Sequence, residues 1–169
     1  MFRPAFFYLL AALLWGIAPT SQAIPFSVGE APAIDLDLSA KQWEGTEILG
    51  DAVDLLRKGQ QQQAKAKLAQ FLKKYPNDPR GAELAGMILL EEKNYSVAAI
   101  SFERALTLKP NNPSVLSKLG VSLLLQDKKK EGEDTLNKAI AVRQGEPLAR
   151  RYLGWLEEGR GRLNGAAHH

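Results

Sequence analysis

Catalysis needs side chains that can attack, donate or accept, and this chain of 169 residues holds few of them in a usable arrangement. Its two histidines, His168 and His169, are the last two residues, and cysteine is absent. Serine triads, cysteine–histidine pairs and imidazole or thiolate metal sites therefore lack a partner, and neither a disulfide nor a cysteine-held iron–sulfur cluster can form. The paired carboxylates Glu91-Glu92 and Glu157-Glu158 are sequence neighbours. On a helix such neighbours diverge by about 100°, so they do not converge on one substrate atom. Walker loops, dinucleotide fingerprints and calcium-loop patterns do not occur. The expectation is a non-enzymatic protein with no cofactor, no metal and no small-molecule substrate.

The elements around these residues have the composition of a folded domain. Hydrophobic residues make up 45% and charged residues 24%, and the glycines and prolines are isolated, which excludes collagen-like and low-complexity readings. The net charge of +3 comes without a basic stripe interleaved with aromatics, so nucleic acid is not an expected partner.

Arg3 precedes an apolar run from Ala5 to Ala18, closed by Pro19, Thr20, Ser21, Gln22 and Ala23. That is the order of a signal peptide, with small residues at Ser21 and Ala23 before the cleavage point. The run is shorter than the roughly 20 apolar residues that span a membrane, and no cysteine follows for a lipid anchor. Residues 1–23 are thus expected to direct export and be removed, leaving a periplasmic or secreted chain from Ile24. Losing Arg3 lowers its net charge from +3 to +2. Asn94-Tyr95-Ser96 matches a glycosylation acceptor, a motif short enough to arise by chance.

The rest of the chain is periodic. Pro79, Pro113 and Pro147 are 34 residues apart, as are Gly86, Gly120 and Gly154. A frame with these prolines at position 1 puts Ala64, Ala98, Gly132 and Ala166 at position 20 and Leu68, Phe102 and Leu136 at position 24. Leu55, Leu89 and Leu123 fall at position 11, Ala105 and Ala139 at 27, and Pro76 and Pro110 at 32. The third unit has Gln144-Gly145 there, which reads as a glycine helix stop. This pattern resembles the tetratricopeptide repeat (TPR). The resemblance implies an all-α fold, a right-handed α-solenoid of antiparallel helix pairs. Units are expected at 45–78 (divergent, with Asp51 at position 7 and Phe71 at 27), 79–112, 113–146 and, in part, 147–169.

Physical reading of the residues agrees. Asp78-Pro79 and Asn112-Pro113 place a capping side chain before a proline whose missing N–H costs nothing at the first helical position. Apolar residues cover more than one face of 113–125, so this helix needs burial on two sides. Gln60–Gln63 and the lysine-rich stretch from Gln126 to Glu131 read as solvated turns leading into second helices. Residues 24–44 lack helical periodicity and suggest an extended acidic arm, with Glu30, Asp35, Asp37 and Glu44 against Lys41. That arm carries −3 and the chain from residue 45 carries +5, so the arm could lie along the repeats.

In such solenoids the first helix of each pair lines a concave surface. By resemblance, the groove positions are Leu49, Val53 and Leu56 in the first unit, Met87 and Leu90 in the second, Val121, Leu124 and Leu125 in the third, and Arg151 and Trp155 in the fourth. Chaperone-binding members use Lys and Asn at positions 5 and 9 of their first repeat; Leu49 and Val53 stand there, so that clamp is absent. An apolar groove suits a partner's amphipathic helix or apolar peptide, unless these side chains pack on each other or on the arm. The fourth unit stops at position 23, just after a second helix should begin. This suggests a longer array, or self-association through an uncapped C-terminal end. The functional expectation is a protein-interaction scaffold of the cell envelope. Its alternative is an N-terminal accessory module of a larger envelope assembly, secretion or polymer-export protein.

Overall fold

The computed structural model describes Leu36 and residues 45–166, the last five of these as backbone only. The expected leader at 1–23, the arm at 24–44 apart from Leu36, and the terminal histidines lie outside the described residues. Among the described residues seven helices follow one another: α1 (Gly45–Arg57), α2 (Gln61–Lys74), α3 (Pro79–Glu91), α4 (Tyr95–Leu108), α5 (Pro113–Leu125), α6 (Lys129–Val142) and α7 (Pro147–Ala166). Each helix packs on the next, and the odd-numbered helices also meet, α1 on α3, α3 on α5 and α5 on α7. The result is an all-α repeat solenoid.

The period is written in backbone events. Asp78 accepts a hydrogen bond from the Arg80 N–H, and Asn112 accepts from those of Ser114 and Val115, so α3 and α5 start under side-chain caps with proline first in the helix. The second helices, α2, α4 and α6, have no such cap. What starts them is a tight reversal through one left-handed residue, Gly59 (φ 72°), Lys93 (φ 59°) or Asp127 (φ 62°). All three hold position 15 of the frame.

Each second helix ends at position 31, where Tyr75, Lys109 and Arg143 leave the helical region with φ of −132°, −137° and −142°. For Tyr75 and Lys109 the following proline enforces the extended backbone. Arg143 adopts it without one, and Gly145 has no positive φ, so the expected glycine stop is not what ends α6.

The core has two clusters with α5 between them. Val115, Leu119 and Leu123 join the cluster built by α1 to α4, whereas Val121 and Leu124 join Leu136, Ala139, Ala149 and Tyr152. This explains why α5 is apolar on two sides. Small residues set the helix separation within a pair. A Cβ on Gly86 would come within 2.6 Å of the Phe102 ring, and one on Gly132 within 2.7 Å of Leu124 and 2.9 Å of the Gly120 carbonyl. Gly154 shares its repeat position with Gly86 and Gly120 but faces open space.

Gly154 differs because α7 differs. The sequence suggested that a second helix starts near Ala166, yet Pro147–Ala166 is one helix of 20 residues. It lies on α5 and α6, and Arg160 reaches back to Glu133 of α6 at 2.9 Å. Leu148, Leu153 and Leu156 are partly buried against the second cluster, and Glu157, Glu158 and Arg160 follow in the next turn. No helix among the described residues is long and apolar enough to cross a membrane.

Candidate functional site

Seven of the ten groove positions turn inward. Leu49, Val53, Leu56, Met87 and Leu90 belong to the first cluster, and Val121 and Leu124 to the second, all at most 5% exposed. Position 12 is the clearest case: Leu124 sits on Gly132 of the paired helix, filling the space a Cβ would take. Leu125 and Trp155 are half-buried and Arg151 is exposed, so these three are the groove residues that reach the surface. The apolar groove drawn from repeat positions is therefore mostly core.

Two concavities lie elsewhere, where the helices α3, α5 and α7 begin. One, of about 530 Å³, is lined by Ser114 and Lys118 of α5, Arg143, Gly145 and Glu146 of the α6–α7 link, and Pro147, Leu148 and Arg151 of α7. A second, of about 430 Å³, is lined by Glu83 of α3, Lys109, Asn111 and Asn112 of the α4–α5 link, Pro113, Ser114 and Arg143. Ser114 and Arg143 line both, so the two adjoin. Together they gather the cations Lys109, Lys118, Arg143 and Arg151 against the carboxylates Glu83 and Glu146.

These charges are not equivalent. Lys118 and Glu83, with side chains 2% and 4% exposed, form an ion pair at 2.6 Å, and Lys118 also donates to the Ser114 hydroxyl at 2.9 Å. Two charges so far from water hold each other, and they lock α3 against α5 under the floor of the site. Glu146 is buried and paired with exposed Arg143, while the Arg150 guanidinium fixes the same link by donating to the Gln144 carbonyl at 2.7 Å. Counted over the lining, four cations stand against two carboxylates, with Lys109 and Arg151 at the rim. Both are exposed, and Arg151 lies 5.9 Å from the Tyr152 ring centroid.

Among the described residues no group of His, Asp or Glu could hold a metal ion. The site offers cations, amide side chains and a hydroxyl, which is chemistry for recognising carboxylates. Of its residues, sequence reasoning named Arg151 alone as a groove position, and Asn112, Pro113, Gly145 and Pro147 only as helix boundaries. The missed signal was Glu83 and Lys118, opposite charges at positions 5 and 6 of successive units, where facing first helices bring them together.

Residues 49–113 match the sequence model of the tetratricopeptide repeat. Those residues carry tetratricopeptide repeats. Solved TPR structures share the fold. The first TPR of Spaghetti (RPAP3), bound to the HSP90 peptide SRMEEVD, superposes with a TM-score of 0.63 at 13% identity, over 70% of this chain and 94% of that one. The Sgt2 TPR domain from Aspergillus fumigatus gives 0.64 at 17% identity, over 73% of this chain and 83% of that one. An O-GlcNAc transferase mutant from Thermobaculum terrenum gives 0.57 at 25% identity, with 59% of this chain matching 19% of the enzyme. No curated protein matches the chain. TPR units generally mediate contacts between proteins and are typically non-catalytic.

Proposed function

We propose that this TPR chain is a non-enzymatic scaffold that holds an acidic segment of a partner protein in the adjoining concavities at the starts of α3, α5 and α7. The observation that carries this reading is the cation excess on a pre-built floor: Lys109 and Arg151 stand exposed around a buried Lys118–Glu83 pair that keeps the walls fixed. Fixed walls reduce what binding must spend on ordering, and exposed cations steer an acidic partner to the site. One TPR neighbour holds the acidic peptide SRMEEVD; with Leu49 and Val53 in place of the chaperone clamp, this chain would hold such a segment at Lys109 and Arg151 instead. That neighbour's ligand also makes a convenient probe. The leader-like residues 1–23 favour a place in the cell envelope for this activity.

Anisotropy titration with labelled SRMEEVD, and with a copy in which glutamine replaces glutamate and an amide replaces the terminal carboxylate, tests the charge requirement. The acidic peptide should bind, weaken with added salt, and lose at least about ten-fold in affinity when Lys109 and Arg151 are both changed to Glu. Equal binding of the neutral copy would contradict the reading. An accessory role within a larger protein is the second reading, favoured by the transferase whose matching segment is 19% of its length. A partner segment lying in the same polypeptide would distinguish it.

A further inference from the structure

The two concavities of the candidate site are one hollow built twice. Lys109, Asn111, Asn112, Pro113 and Ser114 line the first, and the residues 34 positions further on, at 143 and 145–148, line the second. The link that leaves a second helix and enters the next first helix thus makes the same shape at two successive junctions, each opened by an exposed cation, Lys109 or Arg143. Arg143 lines both hollows, and a guanidinium has five N–H donors, of which its pairing with Glu146 engages only part. The step from one hollow to the next is the step from α5 to α7, which pack on each other, and packed helix axes stand about 8–10 Å apart.

We propose that the two hollows select a partner segment in the polyproline II conformation with two carboxylates three residues apart, one held at Lys109 and the other at Arg143 and Arg151. The match is one of period and rise. Polyproline II has three residues per turn and rises about 3.1 Å per residue, so residues i and i+3 point the same way about 9.3 Å apart. A β-strand repeats a side about every 6.6 Å and misses the step on either count. A helix covers the step with residues seven apart, but it is about 10–12 Å across and would ride over hollows spaced more closely than its own width. This inference rests on the acidic-segment reading and adds the shape and spacing of the segment.

Anisotropy titration of the full chain with end-capped, labelled peptides tests it, each peptide carrying two glutamates separated by one, two or three prolines. The two-proline peptide should bind at least about ten-fold more tightly than the other two. Lys109→Gln should abolish that preference, because one hollow then lacks its cation. Equal binding of the three peptides, or a preference that survives Lys109→Gln, would overturn the inference, as would tighter binding of a helical peptide with its glutamates seven residues apart. A flexible peptide of the same charge separates the two readings. If it binds and the proline peptides do not, the spacing inference alone falls; if no acidic peptide binds, the acidic-segment reading falls with it.

Discussion

Gly86, Gly120 and Gly154 hold the same repeat position but different environments, and substitution should separate them. Gly86→Ala drives a methyl into the rigid Phe102 ring at 2.6 Å and should cost about 1–3 kcal/mol in denaturant melts. Gly154→Ala meets nothing within 4 Å and should gain about 0.5–1 kcal/mol from helix propensity. The 34-residue spacing puts all three at one repeat position, but among the described residues no paired helix crosses α7 at Gly154. The Lys118–Glu83 pair makes a sharper case. Lys118→Met leaves a buried carboxylate without this partner and should cost about 3–5 kcal/mol, most of it recovered when Glu83→Leu is added. The pair was hard to read from sequence, because a lysine and a glutamate on helices usually mean solvated faces. Only the approach of α3 to α5 turns them inward.

At the scale of elements, the first helices depend on their caps and the last turns on their charges. Asp78→Ala and Asn112→Ala should each lower stability by about 1 kcal/mol, because each removes the acceptor for the first free N–H groups. Helix starts of this kind were legible in the sequence, since a cap followed by proline is a local constraint. The left-handed position 15 was not, because Gly59, Lys93 and Asp127 share a conformation and no residue type. Two carboxylates should give opposite pH effects. Hydrogen bonding to Arg160, aided by its charge, holds Glu133 below the usual carboxylate range. Its stabilisation is present above the unfolded value near 4.5 and lost as pH falls through the lower folded value. Arg160→Ala should therefore lower the melting temperature at neutral pH, with the difference fading in acid. Burial raises Glu91, so its charged form weakens the fold above the raised value and the penalty vanishes as pH falls through it. Glu91→Gln should raise the melting temperature at neutral pH and have no effect in acid.

Across the whole molecule, two clusters joined through α5 imply neighbour-wise coupling and not one undivided core. Leu136→Ala, at a fully buried position of the second cluster, should cost about 2–5 kcal/mol and speed amide exchange in α6 and α7 more than in α1 and α2. Uniform acceleration along the chain would contradict that division. The period and the pairing of helices could be read from sequence because every unit repeats the same local demands. The binding surface could not, since whether Leu90 or Leu124 faces solvent depends on the small residue opposite in its partner helix and on the next unit. Recognition by a cationic end is the central claim, and photo-crosslinking in intact cells tests it most directly, with the reactive group at Gly145, an exposed lining residue, and a control at Ile100, a 62% exposed residue of α4. The account predicts an adduct with another protein from Gly145 that disappears when Lys109 and Arg151 are both changed to Glu, and none from Ile100. Adducts from Ile100 with none from Gly145 would place the recruiting surface on α4 and contradict it.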